Sequence, residues 1–335
     1  MKIVIDAFGG DNAPLEIVEG ALLALKKYKD LSVVFTGDEG KIKQVLGNRT
    51  DRVEIIDAKE VILPDESPVD AIKEKKDSSL VKALEALKEN DDIFAMISAG
   101  STGAIVVGSM LKVGRIRGVS RLTMAPVLPT KKDTHVTLTD PGSNINCKPE
   151  QLCQFAMMGW AYHKVKYGVE NPRVALLNIG AEAHKGDELA KATYPLLEKL
   201  PINFVGNMEA REYMSGDYDV VVADGFSGNV LLKGTEGAAS AVNSLIKQRI
   251  KSSIWAMIGY ALFMKKPVFD KLREKLDHNK HEGSPVLGCK KIVIKNHGSS
   301  IRETILASVT HAIQLHEKDF IRKMEELFSA ETAEV

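Results

Sequence analysis

Net charge is missing from this chain, cysteine is scarce, and one long stretch holds no acidic residue. There are 45 basic and 45 acidic side chains in 335 residues. Nucleic-acid binding leans on a basic excess or stripe, and none dominates. The three cysteines, Cys147, Cys153 and Cys289, are odd in number and have no zinc spacing. They read as reduced thiols, not a disulfide framework or a metal site. No run of about 18 apolar residues occurs, so no membrane-spanning helix is expected. The opening "MKIVIDAFGG" lacks the apolar core and cleavage site of a secretory signal. These absences predict a cytoplasmic protein. Three motifs are also missing. Without GxxxxGK(S/T), a P-loop nucleotide enzyme is excluded. Without GxSxG there is no nucleophile elbow. Without GxGxxG after the first strand there is no dinucleotide fingerprint.

What is present is alternation. Apolar, β-branched runs predict strands at 2–6, 32–36, 52–56, 93–98, 135–140, 173–179, 202–206, 219–224 and 291–295. Several are apolar almost throughout, as parallel strands covered on both faces should be. Helical patterns lie between them, at 78–90, 102–114, 148–167, 186–199 and 227–251. The chain therefore predicts an α/β fold: a three-layer α/β/α, Rossmann-like, doubly wound sheet. Residues 1–335 read as one catalytic unit, with two lobes left open, and a helical basic–apolar excursion at about 237–285.

The stretch between Glu236 and Asp270 has no acidic residue but holds Lys247, Arg249, Lys251, Lys265 and Lys266. Its middle, "IWAMIGYALFM" at 254–264, is apolar on nearly every face. At about 1.5 Å per residue it is too short to cross a bilayer. Two readings stay open: a buried helix or dimer contact, or an exposed tip, with Trp255 and Phe263, that meets an anionic membrane or an acidic partner.

Five loops share one layout of strand, polar or glycine turn, then helix: "DAFGGDNAP" (6–14), "SAGSTGA" (98–104), "NIGAEAHKGDE" (178–188), "DGFSGN" (224–229) and "NHGSS" (296–300). Each follows a strand's C-terminal end. In open α/β sheets those ends form a rim where ligands bind, which predicts one composite site. Gly100, Ser101, Thr102 and Gly103 suit close approach by an anion, although Ser101 and Thr102 serve equally as helix caps. Lys185 precedes a helix, where a cation is unfavourable for the dipole, so it reads either as an anion ligand or as a solvated lysine. His297 is either a ligand or a structurally satisfied histidine. Asp6 and Asp224 each cap a helix or orient a cation. Asn178, Asn207 and Asn229 offer neutral amides, and are also turn formers.

In this order the loops resemble the bacterial phosphate acyltransferase family, the acyl-ACP:phosphate acyltransferases of phospholipid synthesis. Further segments carry the resemblance: "GRIRGVSRLTMAPVLPT" (114–130), "DPGSNINCKPEQLCQFAMMG" (140–159), "FVGNMEAR" (204–211) and "VADGFSGNVLLK" (222–233). The chain departs from the family pattern at Phe8 (usually Met), at Ser101 (usually Asn), at "DPGSN" for "DxGAN", and at "HEGSPVLG" (281–288) for "YGGAxLLG". The resemblance implies the isocitrate/isopropylmalate dehydrogenase-like fold of phosphotransacetylases. It also implies transfer of a fatty acyl group from acyl carrier protein to inorganic phosphate, giving acyl phosphate. No metal or cofactor is called for. Expected partners are acyl carrier protein, phosphate, a second copy in a homodimer, the membrane surface as a peripheral contact, and a downstream glycerol-phosphate acyltransferase.

The implied roles follow the chemistry. Phosphate is already an anion at neutral pH, so attack needs orientation and donors for the tetrahedral oxyanion. Lys185 is expected to neutralise phosphate or oxyanion, oriented by Asp6 or Asp224. Asn178 and Asn229 are expected to donate to the carbonyl oxygen. His297 is expected to donate to phosphate or protonate the thiolate. Gly9, Gly10, Ser98, Gly100, Ser101, Thr102, Gly103, Ser143, Asn144, Gly228 and Ser299 complete the expected substrate pocket. Lys247, Lys251, Trp255, Phe263, Lys265 and Lys266 form the expected membrane or partner surface. The competing readings are a phosphotransacetylase-like enzyme acting on acyl-CoA, a nicotinamide-dependent decarboxylating dehydrogenase, and a noncatalytic acyl- or phosphate-binding scaffold.

Overall fold

Ile3 and Ile5 point into one apolar core and Val4 into another, and all three are fully buried. This two-sided burial makes β1 (Lys2–Asp6) an inner strand of a sheet covered on both faces. The computed structural model describes residues 1–270 and 282–331. The first sheet runs β3 (Val53–Asp57), β2 (Ser32–Gly37), β1, β4 (Ile93–Ser98), β12 (Ile292–Lys295), β11 (Ser284–Leu287), β5 (Thr123–Met124). Its first five strands are parallel, and β11 is antiparallel to both neighbours. Helices α1 (Leu15–Lys27) and α10 (Arg302–Glu317) cover one face, α4 (Ser79–Glu89) and α5 (Thr102–Gly108) the other. The 3-2-1-4 order puts the ends of β1 and β4 at a topological switch point, where such sheets bind ligands.

A second sheet runs β6 (Val127–Pro129), β7 (His135–Thr139), β10 (Val220–Val222), β8 (Arg173–Asn178), β9 (Asn203–Glu209). All but β6 are parallel. Helix α6 (Pro149–Tyr167) buries eight apolar side chains in a core shared by both sheets. Helix α7 (Glu188–Leu197) packs beside α6, and the first turns of α8 (Gly225–Lys251) cover the other face through Leu231.

The α/β class is as expected, but the single expected sheet is two. The chain changes sheets within two residues: Ala125 N donates to Pro285 O in the first, and Pro126 O accepts from Leu138 N in the second. The strands that make the division, β5, β6 and β11, are two to four residues long, too short for a period-2 signal. The expected 102–114 helix is α-helical only to Gly108 and goes on as a π-helical turn, Ser109–Val113.

Beyond Leu232, α8 leaves the core and is mostly exposed. It is followed by α9 (Ile254–Gly259) and a π-helical segment, Tyr260–Asp270. The excursion expected to reach about 285 ends before Ser284, which begins β11. Its residues 271–281, including His281 of the departing segment, lie outside the described residues. The last helix is α11 (Phe320–Glu331).

Candidate active site

The five loops do not share one rim. Three belong to the first sheet and two to the second, and no hydrogen bond among the described residues joins the two groups.

On the first rim the loops after β1, β4 and β12 interlock. Lys295 pairs with Ser98, and Ile97 with Ile5, so Asp6, Ser98 and Lys295 end three neighbouring strands at one level. Ser98 Oγ donates to Asp6 Oδ2 at 2.7 Å and accepts from Gly100 N at 3.0 Å. Burial pushes the Asp6 carboxyl up; the Ser98 and Ser79 hydroxyls and the amides of Phe8 and Gly9 pull it back. Asp11 N donates to Gly298 O at 2.8 Å, and Asn12 Nδ2 donates to the Ser299 and Ser300 carbonyls. The glycines let loops touch. A Cβ on Gly9 would lie 2.6 Å from Gly100 N, and one on Gly10, whose φ is +96°, would lie 2.8 Å from Gly298 O.

This geometry revises several expectations. Asp6 and Ser98 are each 1% exposed and serve as an internal latch. Asp6 is bonded to Ser98 and does not orient Lys185. Gly100's amide is taken by Ser98. Gly103 is a packing residue, since a Cβ there would meet Pro68 Cγ at 2.6 Å. Ser101 makes no capping bond, and Thr102 and His297 are exposed on the same rim. His297 Nδ1 lies 2.8 Å from Ser299 Oγ and 3.3 Å from Ser299 N.

On the second rim the loops after β7, β10 and β8 are neighbours. Asp140 Oδ1 accepts from Gly142 N and Ser143 N; Oδ2 accepts from Asn144 N and Nδ2. Burial raises the Asp140 carboxyl, against these bonds. Asn144 Nδ2 also donates to Leu122 O at 2.8 Å, and Asn144 O accepts from Gly225 N. Asn144 therefore anchors the loop. Gly228 is required by packing, since its Cβ would lie 1.9 Å from Asp140 O. Asp224 caps α8, accepting from Phe226 N and Ser227 N at 2.9 and 3.0 Å, and makes no ion pair with Lys185. Asn178 holds the following loop: Nδ2 donates to Lys185 O at 3.0 Å and Oδ1 accepts from Ile179 N at 2.8 Å. Asn207 Nδ2 donates to Glu182 O of the same loop. Lys185 and Asn229 themselves are exposed.

Sequence reasoning passed over three features. Lys295, a lysine closing an apolar strand, reads as a surface terminus, yet it is 9% exposed. Burial lowers it to about 8, against the opposing pull of Asp6 and Asp11. Asp140, which organises the second rim, was visible only as the first letter of "DPGSN". Ile145, Ile179, Phe226 and Val230, on the same rim as Lys185 and Asn229, are 58–79% exposed. A cavity of about 530 Å³ between α6 and α10, lined by Tyr162, Lys166 and Glu303 among others, contains none of the expected site residues.

In the segment expected to meet a membrane or partner, Lys247, Lys251, Lys265 and Lys266 are exposed among the described residues, with Trp255 at 78% and Phe263 at 74%.

A family model described as "Fatty acid synthesis protein" matches residues 1–323. The chain is 46% identical over 330 residues to a phosphate acyltransferase of Clostridium perfringens, covering 97% of this chain and 96% of that one. It is 44% identical over 334 residues to a phosphate acyltransferase of Clostridium acetobutylicum, covering 98% and 100%. Among solved structures it is similar to a branched-chain phosphotransacylase from Enterococcus faecalis (TM-score 0.58, 14% identity, 93% and 98% covered). It is also similar to a phosphotransacetylase from Streptococcus pyogenes (TM-score 0.57, 17% identity, 94% of each). At these identities the structures establish the fold, the expected three-layer phosphotransacetylase-like class.

Proposed function

This chain belongs to the fatty acid synthesis protein family, and from that premise we propose that its acyl donor is the thioester of acyl carrier protein and its product an acyl phosphate. It is an acyltransferase that moves an acyl group to phosphate.

One observation carries the finer reading. The second rim sets a cation, Lys185, and an amide, Asn229, beside the exposed Ile145, Ile179, Phe226 and Val230 of the same rim. A thioester carbonyl that turns into an oxyanion wants the first pair, because donors aimed at developing charge lower the barrier. The alkyl chain behind that carbonyl wants the apolar fringe. Phosphate needs no general base to attack, so binding and alignment make up most of the catalytic task. In this reading Asn178 positions the Lys185 loop, and the Asp224 cap sets the helix that carries Asn229. His297, Ser299, Ser101 and Thr102 face the phosphate side, with His297 as the donor to phosphate or to the departing thiolate.

The basic–apolar tip on α8–α9 supports a docking role for an anionic partner: the bilayer surface, or an acidic carrier protein. A homodimer through the exposed length of α8 belongs to the same reading.

The deciding assay is thiol release from a fatty acyl carrier protein thioester with and without inorganic phosphate. Release that requires phosphate, with acyl phosphate as product, is expected. Release indifferent to phosphate removes the reading, and faster turnover of acyl-CoA than of the carrier thioester replaces the donor.

A further inference from the structure

The end of β12 holds a cation that the chemistry so far leaves unused. Lys295 is nine-tenths buried, and among the described residues no carboxylate lies within ion-pair distance of its Nζ. It donates instead to Ala99 O at 3.4 Å and to Asn296 O. Those two carbonyls are where the chain leaves β4 and β12 for the 98–104 and 296–300 loops. Asn296 N also donates to Ser98 O at 2.8 Å, which ties the same two strand ends together. A buried cation without a direct counter-ion is costly, and an anion arriving nearby offsets that cost.

The charged and titratable groups around it are few. Asp6 ends β1 at the same level, bonded to Ser98. Asp11 comes from the first loop, its amide on Gly298 O. His297 follows in the chain, engaged with Ser299. Only Asp6 and Asp11 draw the lysine toward its charged form.

We propose that Lys295 is a positioning residue for the phosphate acceptor. It holds the two loops of the first rim through the Ala99 and Asn296 carbonyls and supplies, from beneath, the charge that favours an anion above them. The proposal rests on the reading that phosphate is bound at this rim. With its pKa lowered to about 8, Lys295 is cationic below that pH and neutral above it. Phosphate binding is therefore full below pH 8 and weakens as pH rises through it, by up to tenfold per unit.

The test compares wild type, Lys295→Met and Lys295→Arg in steady-state thiol release from pH 7 to 9, with KM for phosphate and for the acyl thioester measured separately. Lys295→Met should raise the phosphate KM at least tenfold at pH 7, leave the thioester KM within threefold, and lose the pH dependence. Lys295→Arg should stay within fivefold of wild type at pH 7 and hold that value at pH 9. A phosphate KM unchanged in Lys295→Met overturns the proposal, as does an equal rise in both KM values without rescue by arginine. If the methionine variant does not fold, the wild-type profile decides: a phosphate KM flat from pH 7 to 9 overturns it. If wild type shows no phosphate-dependent turnover, the acyl-transfer reading fails. Calorimetric titration with inorganic phosphate then judges Lys295: binding that weakens above pH 8 supports it, and no binding overturns it.

Discussion

Gly9→Ala separates a rim built for geometry from one that merely tolerates glycine. A Cβ at Gly9 would lie 2.6 Å from Gly100 N and 2.8 Å from both Asp6 Oδ2 and Ser98 Oγ, where ordinary contact begins at 3.4 Å. None of the three can step aside, because Ser98 is bonded to both Asp6 and Gly100. The loops must part by about 0.8 Å, the shortfall against Gly100 N. Overpacking of this kind costs about 1–3 kcal/mol. Unfolding entropy scales with chain length, so for a chain this long that is a Tm loss of roughly 1–4 °C. The kinetic cost is larger, since misplacing a binding group by about 1 Å can cost on the order of 100-fold. The control is Gly103→Ala, whose Cβ meets only Pro68, at 2.6 Å to Cγ. It should lose similar stability while turnover stays within threefold. Thermal melts and phosphate-dependent thiol release at 25 °C measure both. A folded Gly9→Ala variant with wild-type turnover would refute the reasoning, as would a Gly103→Ala variant equally impaired.

Lys185→Ala should lower turnover at least tenfold with Tm unchanged, because the exposed side chain is absent from the loop's backbone bonds; full activity in the folded variant removes it from the mechanism. His163 is 2% exposed and held by burial at about 4, with Nδ1 against Thr137 Oγ1 at 3.0 Å. Between pH 6.5 and 4 only the unfolded chain takes its proton, so stability falls as pH drops through that window, by about 2 kcal/mol from pH 7 to 5. His163→Gln should flatten the Tm profile over that range, and an unchanged slope counts against the assignment. Wild type should pellet with anionic vesicles at low salt, and a Trp255→Ser, Phe263→Ser double variant should not. If wild type stays in the supernatant, the bilayer is the wrong partner and carrier protein takes its place.

How much was legible follows from the kind of signal each feature leaves. All nine expected strands exist, because apolar runs buried on both faces persist in any parallel sheet, whichever sheet they join. Sheet membership did not show, because it is decided at Ala125–Pro126 and by β11, and the bonds that place Ala125 and β5 in the first sheet reach partners about 160 positions away. The polar loops stand out by composition, yet composition cannot tell a ligand from a latch. Ser98 and Ser101 look alike in "SAGSTGA"; one is buried against Asp6, and the other caps α5 without using its hydroxyl. Gly103 and Gly228 looked like anion-loop glycines and prove to be contact points for Pro68 and Asp140. Lys295 was hidden by the opposite error, since a charged residue at a strand's end is normally solvated.

The two rims differ in kind, and the difference matches the two substrates of the reaction proposed above. The first is built from buried groups, with Asp6 and Ser98 bonded to each other and Lys295 held by the Ala99 and Asn296 carbonyls. Such a network holds one shape, because moving any member leaves a buried polar group unpaired. A small, symmetric anion such as phosphate offers little surface to grip, so a rigid seat is what it requires. The second rim buries its anchors, Asp140 and Asn144, and exposes its chemistry, Lys185 and Asn229, beside large apolar side chains. A long acyl thioester brings surface of its own and can be held by an open fringe. Substitutions on the first rim should therefore speak through phosphate, and those on the second through the acyl donor. A rim that answered to both substrates alike would mean the two sheets do not divide the work.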